Sequence, residues 1–358
     1  MTTRTILITG GAGFIGSRLA GELSDSDTEI VLVDSLHPQV HEGGWPDNVP
    51  ADARTLPFDV TVPSQWDALF KSVRPDVVVH LAAETGTGQS LRESSRHGRV
   101  NVVGTTELLD GLSRAEIVPE RIVLASSRAV YGEGRWQAES GEVFYAPARD
   151  LQQLDSAKWD PTAPDGSTAV SPLPHRARET EPRPSNVYAA TKLAQEHILA
   201  AWAGAFGSPL SVLRLQNVYG PCQSLSNPYT GIVSLFARLA LAGESIPVYE
   251  DGGIVRDFVF IDDVVAALAA AARSTTPGHS TVDIGSGEAL TLLEVANEIA
   301  GQAGAAEPRV TGQYRLGDVR AASADVTDAG ELLGYVPQVR AREGVRRLLE
   351  WIPSVLGS

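Results

Sequence analysis

The chain has 358 residues, of which 43% are hydrophobic and 20% charged, and its formal net charge is −15. That length suits one large α/β unit with a smaller lobe. The acidic balance disfavours nucleic acid and anionic membranes, so a phosphate-bearing ligand must be held by local arginines and backbone N–H groups. The single cysteine, Cys222, excludes an intramolecular disulfide or a cysteine zinc cluster and is expected to be a small buried apolar residue. The N-terminus enters a strand at once without a signal-peptide pattern, and the longest apolar helix-like run, Val264–Ala272, is too short for a bilayer. A cytoplasmic protein is expected.

In chain order, strands are predicted at Thr5–Thr9, Ile30–Val33, Thr55–Phe58, Asp76–Leu81 and Arg121–Ala125. Between them lie amphipathic stretches at Phe14–Leu23, Ser64–Val73 and Val100–Leu112. Alternating strands and helices imply βαβ units, and strands without polar alternation imply a parallel sheet covered on both faces. Glu133–Ser185 breaks the pattern with Pro, Ala, Asp, Arg and Ser and shows no sustained period. It reads as a long ordered insertion or a mobile flap. Beyond it come a helix at Asn186–Phe206, a strand at Pro209–Leu215, helices at Val233–Ala242, Asp262–Arg273, Leu292–Gln302 and Val345–Ile352, and strands at Val255–Ile261 and Ser280–Ile284. The expected division is a dinucleotide-binding domain over 1–215, with the insert at 133–185, and a substrate lobe over 216–358 that returns some segments to the first sheet.

In "LITGGAGFIGS", Gly10, Gly13 and Gly16 stand where the first strand turns into the first helix. Glycines there allow a tight turn and close approach of a pyrophosphate to the helix N-terminus. Asp34 ends the second strand 24 residues after Gly10, where a carboxylate accepts from ribose hydroxyls and repels a 2′-phosphate. No Lys or Arg occurs from Ser35 through Val49, which favours NAD over NADP. In "NVYAATK", Tyr188 and Lys192 are at i and i+4, on one helical face. A phenol is a poor base unless a cation beside it stabilises the phenolate, and Lys192 is placed to do that. Ser127, at the end of a central strand, completes a hydroxyl–phenol–ammonium set.

The stretches "TGGAGFIGS", "HLAAETGTGQS", "NVVGT", "ASSRAVYGEG", "YAATK", "RLQNVYGP" and "RDFVFIDDV" occur in the order found in extended short-chain dehydrogenases/reductases. The chain resembles their nucleotide-sugar epimerase branch over nearly its whole length, the insert excepted. The resemblance implies a Rossmann doubly wound parallel sheet with a smaller C-terminal α/β lobe. It implies Ser127, Tyr188 and Lys192 as the catalytic set. For the cofactor it implies Phe14 and Ile15 beside the glycines, Asp59 and Val60 near adenine, Leu81, Ala82 and Ala83 on a strand end, Asn101, Ser126, and Tyr188 and Lys192 again. For a nucleotide-diphosphate sugar it implies Thr85, Ser127, Arg128, Asn217, Arg256, Arg315 and Asp318. Two arginines, Arg256 and Arg315, converging on a diphosphate fit the chemistry of an acidic protein. A homodimer through Val100–Leu112 and Asn186–Phe206 is implied as well.

Within the family, 4,6-dehydratases carry Asp and Glu after the Ser/Thr, and decarboxylases use the same Glu. This chain has Arg128 and Ala129 there. A guanidinium is no useful proton donor and alanine has no acid at all, so elimination of water and loss of carboxylate are disfavoured. The remaining chemistry is oxidation at C4 to a 4-keto sugar, rotation, and reduction on the other face. "HLAAETGTGQS", "SSRAVYGEG" and "GPCQSLSNPYTGI" most resemble members that interconvert dTDP-L-rhamnose and dTDP-6-deoxy-L-talose. A 4-ketoreductase or dehydrogenase with net redox turnover uses the same residues. A non-catalytic NAD-binding protein would commonly lack Tyr188 or Lys192. Some relatives carry cysteine pairs in the insert that could hold zinc; with none here, no metal is expected. Tyr145, Trp136 and Trp159 are expected to pack on sugar or to anchor the insert.

Overall fold

The computed structural model describes residues 3–38, 40–41, 44–168, 170–225 and 231–356. Seven short apolar runs form one parallel sheet in the order His279–Ile284, Leu210–Leu215, Arg121–Ser127, Val77–His80, Arg4–Thr9, Thr28–Asp34, Arg54–Pro57. β-Branched and leucine side chains on both faces of the central strands are fully buried, among them Leu7, Ile8, Val78, Val79, Val123 and Leu124. One face is closed by Phe14–Leu23 and Ile261–Arg273, through Leu19, Leu23, Val264 and Leu268. The other is closed by Pro63–Leu69, Gly104–Arg114 and Val187–Phe206, through Trp66, Leu108, Leu112 and Leu199.

The chain leaves Arg4–Thr9 toward one edge and returns at Val77–His80 on its other side. The carboxyl ends of those two strands therefore diverge into a crevice, the place where open α/β sheets hold ligands. Next to the large sheet, Val255–Phe260 pairs with Asn217–Tyr219, Ala289–Thr291 and Ala321–Ala322 in a small mixed sheet. His279–Ile284 rejoins the large sheet as its edge strand, as a segment returning from the C-terminal half.

Three local differences from the sequence reading have physical causes. The predicted helix Val100–Leu112 starts as a wide π-type turn over Gly98–Val103, and regular α-helix runs only from Gly104 to Arg114. The predicted helix Ser64–Val73 begins on Pro63, whose fixed φ suits a first helical position, and ends at Leu69. Cys222 is exposed rather than buried, because it lies in a turn with φ 72° on the rim of the crevice. The insert is ordered. Arg135–Ala138 pairs antiparallel with Val143–Tyr145 and with Val170–Pro172, and Asp150 caps a short helix at Leu151–Asp155.

A small apolar cluster of Trp136, Ala138, Phe144 and Ala163 closes on Ala321 beneath the insert. Ion pairs hold it to the C-terminal half. The buried carboxylate of Glu250 lies between Arg149 of the insert at 2.9 Å and Arg320 at 3.0 Å. Glu133 pairs with Arg149 at 3.3 Å and accepts the backbone N–H of Arg320 at 2.8 Å. Asp160 and Asp251 take the rest of Arg320, each at 2.7 Å. Further along, Arg176 and Arg178 both pair with Asp328. Tyr145 accepts the N–H of Glu181 at 2.8 Å and lies under Arg183, which ties the insert to itself, while Trp159 faces Tyr314 of the C-terminal half.

Candidate functional site

The crevice is shaped by glycines. Gly10 has φ +70°, and a Cβ there would stand 2.9 Å from the Ala82 nitrogen and 3.0 Å from the Leu81 carbonyl carbon. A Cβ on Gly16 would stand 2.9 Å from the Gly11 Cα and closer still to the Gly10 carbonyl oxygen. Only glycine lets these backbones come together. The helix that follows starts after Gly13 with no side-chain cap, so its first N–H groups and dipole are left to an anion.

Asp34, buried at the strand end, accepts from Ala12 N–H at 3.1 Å and Leu36 N–H at 2.8 Å. Its carboxylate walls a cavity of about 430 Å³ together with Asp59, Val60, Leu81, Ala82 and Ala83. Arg96 also reaches this wall, where Glu84 and Glu93 pair with it. A second space of about 1060 Å³ continues past Phe14, Ile15, Gly16 and Thr85 to Ala125 and Val218. A glycine cradle, an uncapped helix start and a ribose-height carboxylate fit a dinucleotide.

Strand alternation turns Ser126 and Ser127 to opposite faces. Ser126 faces the interior: it is buried and its hydroxyl donates to Glu196 Oε1 at 2.5 Å, while Arg214 grips the same carboxylate at 2.6 and 3.0 Å. Its side chain is thus held by the protein. Ser127 is half-buried, accepts from Ala129 N–H at 3.1 Å, and lies near enough to the Tyr188 hydroxyl to lower its pKa. Asn186 caps the long helix by accepting from Ala189 N–H at 2.9 Å, which fixes Tyr188 in the first turn. Burial pushes the Tyr188 phenol up; the Ser127 hydroxyl and the Arg128 charge oppose it. Lys192, one turn on, is buried, which brings its pKa down to about 8 against the pull of Glu196, and it donates to Gln195 Oε1 at 2.8 Å. Asn101, in the wide turn, bonds the Glu84 backbone N–H and carbonyl and Thr191 Oγ1, so its side chain ties elements together.

On the sugar side, Arg128 donates through Nε to Asn217 Oδ1 at 2.9 Å. Burial, and then the Arg256 charge, hold its pKa below the usual arginine value. Arg256 donates through its two terminal nitrogens to the carbonyls of Val255 and Val319, each at 2.7 Å, and to Asp318 at 2.6 Å. Burial raises the Asp318 carboxyl, but Arg256, Arg128 and Arg149 together hold it below the ordinary range. Arg315 stands apart, exposed, with its guanidinium 5.3 Å over the Tyr249 ring. The arginine whose charge acts on Arg256 is Arg128.

Sequence reasoning missed the buried polar residues behind this site: His80, Thr105, Gln195, Glu196 and Arg214. A signal existed in "KLAQE", where Gln195 and Glu196 follow Lys192 by three and four positions and so share its helical face.

The chain matches the NAD dependent epimerase/dehydratase family over residues 6–151 and 161–285. It is 49% identical to a dTDP-L-rhamnose 4-epimerase of Burkholderia thailandensis over 354 residues, which span 99% of this chain and 96% of the relative. Among solved structures, the UDP-glucose 4-epimerase of Thermotoga maritima with UDP-glucose superposes with a TM-score of 0.79 at 28% identity, covering 98% and 99% of the two chains. The UDP-glucose 4-epimerase of Thermus thermophilus in complex with NAD gives 0.75 at 29% identity, covering 97% and 98%.

Proposed function

The chain belongs to the NAD dependent epimerase/dehydratase family and is an NAD-dependent nucleotide-sugar 4-epimerase, and we propose that it interconverts dTDP-L-rhamnose and dTDP-6-deoxy-L-talose. The observation that carries the substrate is the 49% identity over nearly the full length to a dTDP-L-rhamnose 4-epimerase. Inversion at C4 of L-rhamnose gives 6-deoxy-L-talose, which sets the other member of the pair.

NAD, when bound along the Gly10–Gly16 turn and Asp34, supplies the hydride acceptor and then the hydride donor. In our reading Tyr188 takes the proton of the sugar 4-hydroxyl and later returns it. Ser127 hydrogen-bonds the same oxygen and stabilises the charge that develops on it. Lys192, one helical turn on, is our candidate for a cation that stabilises the phenolate, alongside the Arg128 charge that opposes the rise caused by burial. The 4-keto sugar turns about its diphosphate link and presents its other face. Arg128 and Ala129 offer no acid for a departing hydroxyl, which supports epimerisation over dehydration. Arg128, Asn217, Arg256 and Asp318 are our candidates for the sugar diphosphate. We further infer a homodimer that pairs Gly104–Arg114 and Val187–Phe206 of two copies.

The test is incubation of the NAD-loaded protein with dTDP-L-rhamnose, with product stereochemistry read by NMR. The expected product is the C4 epimer, with no net change in NADH. Tyr188→Phe is expected to lower kcat by about 10²–10⁴-fold while NAD stays bound. Stoichiometric NADH formation or consumption, or full activity in that variant, would sink the mechanism; turnover only of UDP- or GDP-sugars would sink the substrate.

A further inference from the structure

Behind Lys192 lies a chain of buried hydrogen bonds whose direction can be worked out atom by atom. It begins at the crevice, where the Ala82 N–H donates to Thr9 Oγ1 at 3.1 Å and the Leu81 N–H is shared between Thr9 Oγ1 at 3.2 Å and the Thr9 carbonyl at 3.1 Å. Both lone pairs of that oxygen are then taken, so the Thr9 proton points to His80 Nδ1, 2.8 Å away. His80 Nδ1 is an acceptor, which puts the ring proton on Nε2. Nε2 donates to Thr105 Oγ1 at 2.9 Å. Thr105 in turn donates to the Asn101 carbonyl at 2.6 Å. Its second lone pair must therefore accept, and the donor is the Gln195 amide at 2.9 Å. The 3.3 Å approach of Gln195 Nε2 to His80 Nε2 then joins two donors and carries no bond.

This direction leaves the Gln195 amide one orientation. Flipping it would set Oε1 against Thr105, whose proton is committed to Asn101, and the NH₂ against the Lys192 ammonium. With the observed orientation, Oε1 faces Lys192 Nζ at 2.8 Å. Thr9, His80, Thr105 and Gln195 are completely buried and Lys192 is 3% exposed, so no water competes for these bonds. A buried ammonium without an acceptor is costly. We propose that Gln195 is a positioning residue: locked by Thr105 and His80, it fixes where the Lys192 charge stands relative to the Tyr188 hydroxyl and the cofactor.

The charged and titratable groups facing Lys192 are Glu196 on its own helix and His80 from the strand Val77–His80, with Tyr188 one helical turn before it. Burial, with the Lys192 charge adding to it, holds His80 down to about 3. His80 therefore stays neutral through the working range, and the bond direction does not reverse.

The proposal rests on the roles given above to Tyr188 and Lys192, and its test needs no substrate. The Tyr188 phenol in the NAD-loaded protein is titrated by phenolate absorbance, as the difference from the same background carrying Tyr188→Phe. In Gln195→Met the ammonium loses its fixed acceptor, so its stabilisation of the phenolate weakens. The midpoint is expected to rise by ~0.5 pH unit or more. A residue that merely fills space would leave it where it is, and an unchanged midpoint overturns the proposal. If Gln195→Met does not fold, Thr105→Val and Thr105→Ser decide. Val removes the hydroxyl that orients Gln195 and Ser keeps it, so a raised midpoint in Val with the wild-type midpoint in Ser supports the proposal, and equal midpoints overturn it. Turnover of dTDP-L-rhamnose is a separate measurement, so the epimerase reading can fail while the titration holds.

Discussion

Asp283 illustrates how single buried groups shape this molecule. The Tyr131 hydroxyl donates to both of its carboxyl oxygens, at 2.8 and 2.9 Å, and the Tyr131 ring lies under the Arg214 guanidinium. Burial raises the Asp283 pKa to about 7 in spite of the Tyr131 bond and the Arg214 charge. A carboxyl raised in the fold binds its proton there after the unfolded chain has lost it. Its contribution is complete below about pH 4 and is lost as pH rises through about 7. Asp283→Asn keeps an acceptor for Tyr131 without a proton to lose. Its Tm relative to wild type is therefore expected to improve between pH 4.5 and pH 8 by about 1 °C or more, the effect of about 1 kcal/mol in a chain of this size. A constant offset across that range in thermal unfolding would count against the assignment. Residues of this kind are the hardest to read from sequence. Ser127, Tyr188 and Lys192 were legible because motif spacing carries them. Asp283, His80 and Gln195 look like any polar residue in a strand or helix until the partners they bury against are known.

At the level of elements, the seven parallel strands and their flanking helices were legible because continuous apolar runs and helical periodicity reflect burial directly. The insert was not. Its strands have three or four residues, below the length at which alternation stands out, and much of its order comes from ion pairs between residues far apart in sequence. The π-type turn at Gly98–Val103 was hidden for a different reason, since a helical pattern does not reveal one wide turn. Removing Arg149 would leave the Glu133 and Glu250 carboxylates buried beside one remaining cation, at a cost of about 3–5 kcal/mol for a broken buried pair. Arg149→Met is therefore expected to raise deuterium uptake across 135–172 and the KM for the sugar nucleotide, with NAD affinity unchanged. Uptake spread evenly over the chain, or lost NAD binding, would show that the insert is not held in the way described.

For the molecule as a whole, the net charge of −15 sets a general repulsion between copies, so association needs a specific apolar face. The helix Val187–Phe206 leaves Ala190, Ala201, Ala205 and Phe206 exposed along its outer side, and Val103 is exposed just before Gly104–Arg114. Small residues allow two such helices to approach closely, which supports the inferred homodimer. Sedimentation is expected to give twice the chain mass at micromolar concentration, and Ala201→Glu to return a monomer; a wild-type monomer there would refute it. The fold was thus open to sequence reasoning through its core, while the surfaces and clamps that complete it depend on pairings that no local pattern encodes.

The clamp around Glu250 also bears on how such enzymes could be recombined. Residues 133–185 look like a cassette that could be exchanged between relatives to change the sugar they accept. Yet Arg149 and Asp160 also pair far downstream, with Glu250 and Arg320, and Arg320 is shared with Asp251. A chimera that moves the insert alone would bury charges facing foreign neighbours, so the segment is transferable only when those three downstream residues travel with it.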